Sequence, residues 1–332
     1  MPLPTKSLDA VKRLWPAFKW GMFLLVLVFV ARHGWHLWEG FDRHAMPIHW
    51  GWLLLAVATS LVAWLPSLWY WRQLMAVLGA VAPWPQAVRA YYCGHLGKYV
   101  PGKGAALVIR SALLKDCQVP GTTAVLTATI EALTCMWVGL LMTIALYPAL
   151  AHGLPTSLAG TVGHPILRWC VFAGVACGGL WAFAAMMRSH GPLADWFHGL
   201  PKEPAAAGAT PVGRPTISIT LAGIIGFVAA WWIQGLTLGL TIQAVSAEAW
   251  NWNDWPFWTG TAAVAMVGGF VVLIAPGGLG VREGLLMELL ERQLGPRAVV
   301  VALLWRGVSL AGEILASVAL YYGVSGRPKQ QN

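Results

Sequence analysis

The sequence predicts an all-α polytopic integral membrane protein, with about six full spans and two re-entrant helical hairpins broken at Pro and Gly, arranged as an inverted repeat. Three observations lead there. Of the 332 residues, 58% are hydrophobic and only 11% charged, against about 25% charged in a soluble domain. Apolar runs recur from residue 20 to residue 324 with no polar block long enough to fold by itself, so a single membrane domain is expected over 1–332. Two apolar stretches, KYVPGKGAALVIR from Lys98 to Arg110 and IAPGGLGVRE from Ile274 to Glu283, are interrupted by Pro and Gly and carry charge. Backbone groups freed at membrane depth are tolerated only inside protein or beside a watery cavity. Charge carried that deep marks a functional site.

The first span is expected over about Trp20 to Trp38, behind Lys6, Lys12, Arg13 and Lys19. No small-residue cleavage pattern follows it, so it reads as a retained signal anchor with a cytoplasmic N-terminus. Arg32 near its outer end reads as a snorkelling side chain. Span two, Gly51 to Trp71, is uncharged and ends at Arg72. Residues from Ala87 to Leu114 are too charged for an ordinary span and too apolar for a solvated loop. A hairpin with its tip at Pro101 to Gly104 satisfies both facts. Span three, about Thr122 to Ala149, holds one charge, Glu131, at mid-bilayer depth.

The loop from Leu150 to Pro165 has no Lys or Arg, as expected outside the cell, and span four, Leu167 to Met187, returns to Arg188. Residues 188–216 read as a flexible cytoplasmic linker. Span five covers Ile217 to Val245, the second hairpin Trp255 to Leu290 with its break at Pro276, and the last span Val299 to Val324, ahead of Arg327 and Lys329 in a cytoplasmic tail. The two halves, about 20–150 and about 166–324, each hold two spans, a hairpin and a third span in opposite orientations. Spacing supports the repeat. Glu131 follows Pro101 by 30 residues and Arg306 follows Pro276 by 30, so a shift of 175 superimposes both pairs and sets an acid opposite a base.

The net charge of +9 gathers at span ends, where the positive-inside bias and anionic headgroups account for it, which excludes nucleic acid as a partner. Cys93, Cys117, Cys135, Cys170 and Cys177 have neither metal-ligand nor paired spacing and read as packing residues. His33, His36, His44 and His49 lack the spacing of a metal site, so neither metal nor cofactor is expected. The 21 Trp read as interfacial belts and apolar packing. His95 reads as a core or interfacial histidine.

The segments YYCGHLGKYVPGKGAALVIRSALLK, IEAL, APGGLGVREGLL and LLWRGVSLAGEIL together resemble the lysylphosphatidylglycerol synthase transmembrane family. The most specific part is PGGLGVREG followed about two dozen residues later by an Arg in an apolar span. The resemblance covers nearly the whole membrane region. It implies similarity to the flippase half of the bacterial multiple peptide resistance factor. That domain also occurs alone in proteins of hopanoid, polyprenyl-phosphate sugar or glycolipid pathways. Lipid transport across the cytoplasmic (inner) membrane is therefore the expected function. The resistance factor carries a soluble aminoacyl transferase domain after its membrane domain, whereas this sequence ends at Asn332, so synthesis of lysyl lipid is not expected. Lys103 and Ala105 depart from the Gly-rich sequence common in the first turn of the family.

A flippase moves a charged headgroup through about 30 Å of hydrocarbon and needs cations for phosphate together with small residues that let backbone approach. Lys98, Lys103, Arg110, Arg282 and Arg306 supply the first; Pro101, Gly102, Gly104, Pro276, Gly277, Gly278 and Gly280 shape the turns. Glu131 and Glu283 either hold Arg residues between substrates or accept protons in a coupled cycle. Glu131 with Arg306 reads either as a fixed ion pair or as a substrate contact, and Glu313, seven residues after Arg306 on the same helix face, is a competing partner. Lys98 and Lys115 read equally as interfacial. Two alternatives remain: an enzyme acting on a polyprenyl-phosphate lipid, which lacks a catalytic constellation in this sequence, and a non-catalytic subunit positioning a glycosyltransferase or other lipid-modifying enzyme. A homodimer stays open.

Overall fold

The computed structural model describes residues 48–99, 104–151, 164–186, 217–246, 249–272 and 278–324, with Val28, Arg32 and Trp35 besides. The expected first span, the 188–216 linker and the turn residues Pro101, Gly102, Lys103, Pro276 and Gly277 thus lie outside the described residues, apart from the three isolated positions. Ten helices matter for the site: α1 (Trp50–Val62), α2 (Leu65–Val77), α3 (Trp84–His95), α4 (Ala105–Leu113), α5 (Gly121–Ala145), α6 (Pro165–Met186), α7 (Ile217–Gln243), α8 (Trp255–Val271), α9 (Val281–Leu294) and α10 (Arg297–Gly323). No strand occurs among the described residues. The protein is a multi-pass helical membrane protein: among the described residues five segments, Trp50–Val77 (α1 with α2), Gly121–Ala145, α6, α7 and α10, are long and apolar enough to cross a bilayer.

The boundaries follow local chemistry. α1 and α2 form one bent segment, with the bend at Ala63 and Trp64 and Pro66 in the first turn of α2. Proline is accommodated there because first-turn N–H groups have no intrahelical acceptor. α2 continues past the expected stop at Trp71 to Val77, because Arg72 turns back on the chain: its Nε donates to the Ala82 carbonyl at 2.9 Å and its guanidinium lies over Trp84. α5 stops at Ala145, short of the expected Ala149, and Tyr147–Leu150 makes a separate turn with Pro148 at its start.

Between the spans lie the broken elements. α3 runs into a 3₁₀ turn, Leu96–Tyr99, and α4 follows the Pro101 break. With 12 and 9 residues, these helices are about 18 and 14 Å long, well short of a 30 Å core. α3 packs antiparallel to α4 because Gly94 and Gly97 let the second helix approach. A Cβ on Gly97 would overlap the backbone of Ala105 and Ala106, and one on Gly94 would overlap the Arg110 side chain. Backbone cannot give way as a side-chain tip can. Gly97→Ala is accordingly expected to cost about 1–3 kcal/mol, read as a lowered melting temperature in detergent.

The second hairpin closes by the same device. Gly278, at φ +71°, sits against Gly269 of α8, where an added Cβ would lie 3.0 Å from the Gly269 Cα. The positive φ and the close approach both require glycine.

Packing between the halves is reciprocal. α3 lies against α10 and α8 lies against α5, while α4 and α9 each pack on the span that follows them. The long α7 packs against α1, α2, α5 and α8. The interior is filled by Trp71, Trp231, Trp305, Tyr70, Tyr91 and Phe227, with small residues opposite the rings, as where Gly139 receives the Trp231 indole. α6 packs on α5, where Trp137 Nε1 donates to the Val175 carbonyl at 2.9 Å, and its other faces are open. Six tryptophans, Trp52, Trp232, Trp250, Trp252, Trp255 and Trp258, form a linked aromatic cluster where α7 passes into α8. These ring contacts fit the packing part of what is expected of the tryptophans.

Candidate functional site

Where the two hairpins meet α5, the fold leaves a cavity of about 360 Å³. Its walls come from α3 (Tyr91, His95), the 3₁₀ turn (Lys98), α4 (Leu107, Arg110), α5 (from Ala128 to Met136), α8 (Met266, Gly269, Phe270), Gly278 and α9 (Arg282). Most of this surface is apolar, and the polar groups converge from the two broken elements. Of the residues singled out around the Pro and Gly breaks, Lys98, Arg110, Glu131, Gly278 and Arg282 line this cavity, while Gly104, Gly280, Glu283 and Arg306 do not border it.

Three ion pairs organise the charges, and their partners differ from those expected from spacing. Glu131, 3% exposed, accepts from Arg110 at 2.9 Å and from the Tyr91 hydroxyl at 3.1 Å. Arg306 donates to Glu283 at 3.0 Å. The Glu131–Arg306 pair suggested by the 175-residue shift is thus not formed. Each pair closes within its own half, between the second hairpin helix and the span it packs on. In the first half the hairpin brings the cation and the span the anion, and in the second half the signs are exchanged; the hairpin partners, Arg110 and Glu283, are not themselves related by the 175-residue shift.

Glu313, the other candidate for Arg306, takes Lys98 and also accepts from the Tyr99 hydroxyl at 3.1 Å. This pair joins the tip of the first hairpin to α10 of the other half. Lys98 is consequently no interfacial lysine; its side chain is 27% exposed and its charge is directed inward.

Glu283 has a second duty. One oxygen accepts from the Gly280 N–H at 2.7 Å while the other holds Arg306, so the carboxylate caps α9 and anchors it to α10 at once. Gly280, at φ +84°, supplies the turn that presents that N–H. Gly104 stands at the corresponding place before α4, as its N-cap residue.

Arg282 is different. Successive helical residues point about 100° apart, so Glu283 turns toward α10 while Arg282 faces the cavity. It is 7% exposed. Its guanidinium lies over the Trp305 ring, 4.0 Å from the centroid. Among the described residues no carboxylate comes within ion-pair distance of it, and its Nε is buried without an acceptor. A cation over an indole face gains about 2 kcal/mol when desolvated, less than full burial of the charge costs.

Aromatic residues missed in the sequence complete the site. Tyr91 and Trp71 lie beside the Arg110 guanidinium, at 4.1 and 5.1 Å. Tyr99 contacts both Lys98 and Arg306, and Trp305 supports Arg282. The available signal was adjacency, since Trp305 precedes Arg306 and Tyr91 lies four residues before His95. His95 is buried between Trp64 and Tyr91, with Nδ1 3.2 Å from the Tyr91 carbonyl, and borders the cavity. Among the described residues no three His, Cys, Asp or Glu side chains gather as a metal site, and the five cysteines are unpaired.

No curated protein matches the chain. Deep charges on broken helices, opposed across a cavity, are nonetheless what the family resemblance leads one to expect. The family described as Lysylphosphatidylglycerol synthase TM region matches residues 19–317, nearly the whole chain, and the protein belongs to that family.

Proposed function

We propose that the protein is a lipid translocator of the cytoplasmic membrane, moving a phosphate-bearing lipid between leaflets. The observation that carries this reading is Arg282: a buried guanidinium with no carboxylate at ion-pair distance among the described residues, facing a cavity that is otherwise mostly apolar. An uncompensated cation at membrane depth costs several kcal/mol, and an anionic headgroup offsets that cost. The apolar walls suit the glycerol and first methylenes of a lipid. Lys98 and Arg110 sit beside Arg282 along the same cavity, so a phosphate there has further cations within reach as it moves.

In this reading both hairpins are re-entrant, the first from the cytoplasmic side and the second from outside, with both chain termini cytoplasmic. The short α3 and α4 and the reciprocal packing of α3 on α10 and α8 on α5 support it. Inverted repeats with broken helices meeting near the midplane are a recurring transporter design. The three buried carboxylates at the site, Glu131, Glu283 and Glu313, are each held by a cation, which favours a positioning role over acid–base chemistry and transport over catalysis.

The test is reconstitution of the purified protein in liposomes carrying labelled phosphatidylglycerol, a lysyl lipid or a polyprenyl-phosphate analogue. Protein-dependent exchange of one of them between leaflets is the expected result. Folded protein that exchanges none of them would return the role to an accessory subunit or an enzyme of a lipid-linked pathway.

A further inference from the structure

The charges around the cavity can be counted. Four cations, Lys98, Arg110, Arg282 and Arg306, face three carboxylates, Glu131, Glu283 and Glu313, and each carboxylate already holds one cation. One positive charge is left over among the described residues, and it belongs to Arg282. From this balance we infer that the site selects a headgroup with a single net negative charge, that of a phosphodiester, over a zwitterion and over a dianion. The inference rests on the lipid-binding role proposed above and names the class of lipid.

Three features make the count decisive. The cavity is small: about 360 Å³ is roughly the volume of a dozen liquid waters, enough for a headgroup while the acyl chains stay outside. Its wall includes Leu133 of α5, which is 44% exposed on the outer face of the bundle, so the chains have hydrocarbon beside them. Burial then decides the electrostatics, because a surplus charge on a side chain 7% exposed is screened by water and salt much less than one at the surface.

Among the described residues a second negative charge would find no free partner. To gain one it would have to displace Glu131 from Arg110, a 2.9 Å pair between groups 3% and 7% exposed, or Glu313 from Lys98. Glu131 itself borders the cavity and repels an added anion. A zwitterion brings a cation that the site must also accommodate, beside Arg282 and with every carboxylate taken. A phosphodiester brings two equivalent oxygens and one charge, which suits the planar fork of a single guanidinium.

Binding and transport are to be measured separately. Short-chain phosphatidylglycerol, phosphatidylcholine and phosphatidic acid, with identical acyl chains, are added to the protein in detergent at about pH 8.5, well above the second phosphomonoester ionisation at about 6, and affinity is taken from the concentration dependence of the thermal shift. Wild type is expected to bind phosphatidylglycerol at least about tenfold more tightly than either of the others, a cautious figure for one unbalanced charge at short range. Glu131→Gln, close to isosteric, keeps an oxygen to accept from Arg110 while its amide NH2 can donate to the Tyr91 oxygen; it leaves two surplus positive charges, and preference should move toward phosphatidic acid. Arg282→Gln leaves none, and discrimination between phosphatidylglycerol and phosphatidylcholine should vanish.

Equal affinities in wild type, tightest binding of the dianion, a ranking that neither variant changes, or no shift with any lipid would overturn the inference. Leaflet exchange of the same headgroups on long-chain labelled lipids is the separate arm. Selective binding without exchange leaves the charge selectivity standing and removes the translocator role.

Discussion

Replacing Arg282 with methionine is expected to slow lipid exchange by about 30-fold or more while leaving the protein at least as stable as wild type. The rate loss follows from removing the cation of a buried charge pair with the substrate, worth about 2–5 kcal/mol, the lower bound of which is about 30-fold. The stability follows from the same geometry. Arg282 holds no carboxylate among the described residues and its Nε has no acceptor, so the fold bears its desolvation without an ion pair in return. Methionine has comparable length and keeps an apolar contact with Trp305. Exchange in liposomes and melting temperature in detergent, measured on the same preparation, check both halves of the expectation. A large drop in melting temperature would mean that Arg282 is a structural residue.

Glu283→Ala is expected to do the reverse, acting first on folding. The substitution strips Arg306 of its 3.0 Å partner and the Gly280 N–H of its 2.7 Å acceptor. Breaking a buried pair by removing one member costs about 3–5 kcal/mol, and losing a helix cap adds about 1 kcal/mol. Thermal unfolding should show a drop of that order, with less protein recovered from the membrane. The double variant Glu283→Gln with Arg306→Met should regain most of the loss, since no charge is stranded and the glutamine oxygen can still cap α9. If the double variant is as unstable as Glu283→Ala, the pair is not the source of the effect.

Much of this architecture was readable before the structure. Low charge and recurring apolar runs implied the class, and the ends of the described spans fall within a few residues of the expected ones. The misses have local causes. Arg72 looked like a stop but bonds back to Ala82 and stacks on Trp84, so α2 continues through it; Pro148 ended α5 early. At the site, the charges expected beside the Pro and Gly breaks or deep in a span include Lys98, Arg110, Glu131 and Arg282, which border one cavity. The pairings were not legible. Helical periodicity says which residues share a face, not which helix lies opposite, and the partner of Lys98 is 215 residues away on α10. Nor could adjacency distinguish Arg282 from Glu283: the rotation of about 100° between neighbouring helical residues sends the first to the cavity and the second to Arg306.

The exchange of sign between the two intra-half pairs has an electrical consequence. Arg110 and Glu131 place their cation on the hairpin; Glu283 and Arg306 place it on the span. A two-fold axis lying in the membrane plane reverses the component of any vector along the membrane normal, so like-signed pairs in an inverted repeat would have opposing dipoles that cancel. Exchanged signs reverse one of them again, and the two normal components add. In the inverted arrangement proposed here, the halves therefore resemble each other in shape while being electrically polar as a pair. A neutral pair moved as a unit does no electrical work, but when its two charges shift relative to each other along the normal, or the pair rotates, the charge displaced works with or against the membrane voltage, at about 2.3 kcal/mol per elementary charge per 100 mV. The transmembrane potential then acts on the protein itself as well as on the charge of its cargo.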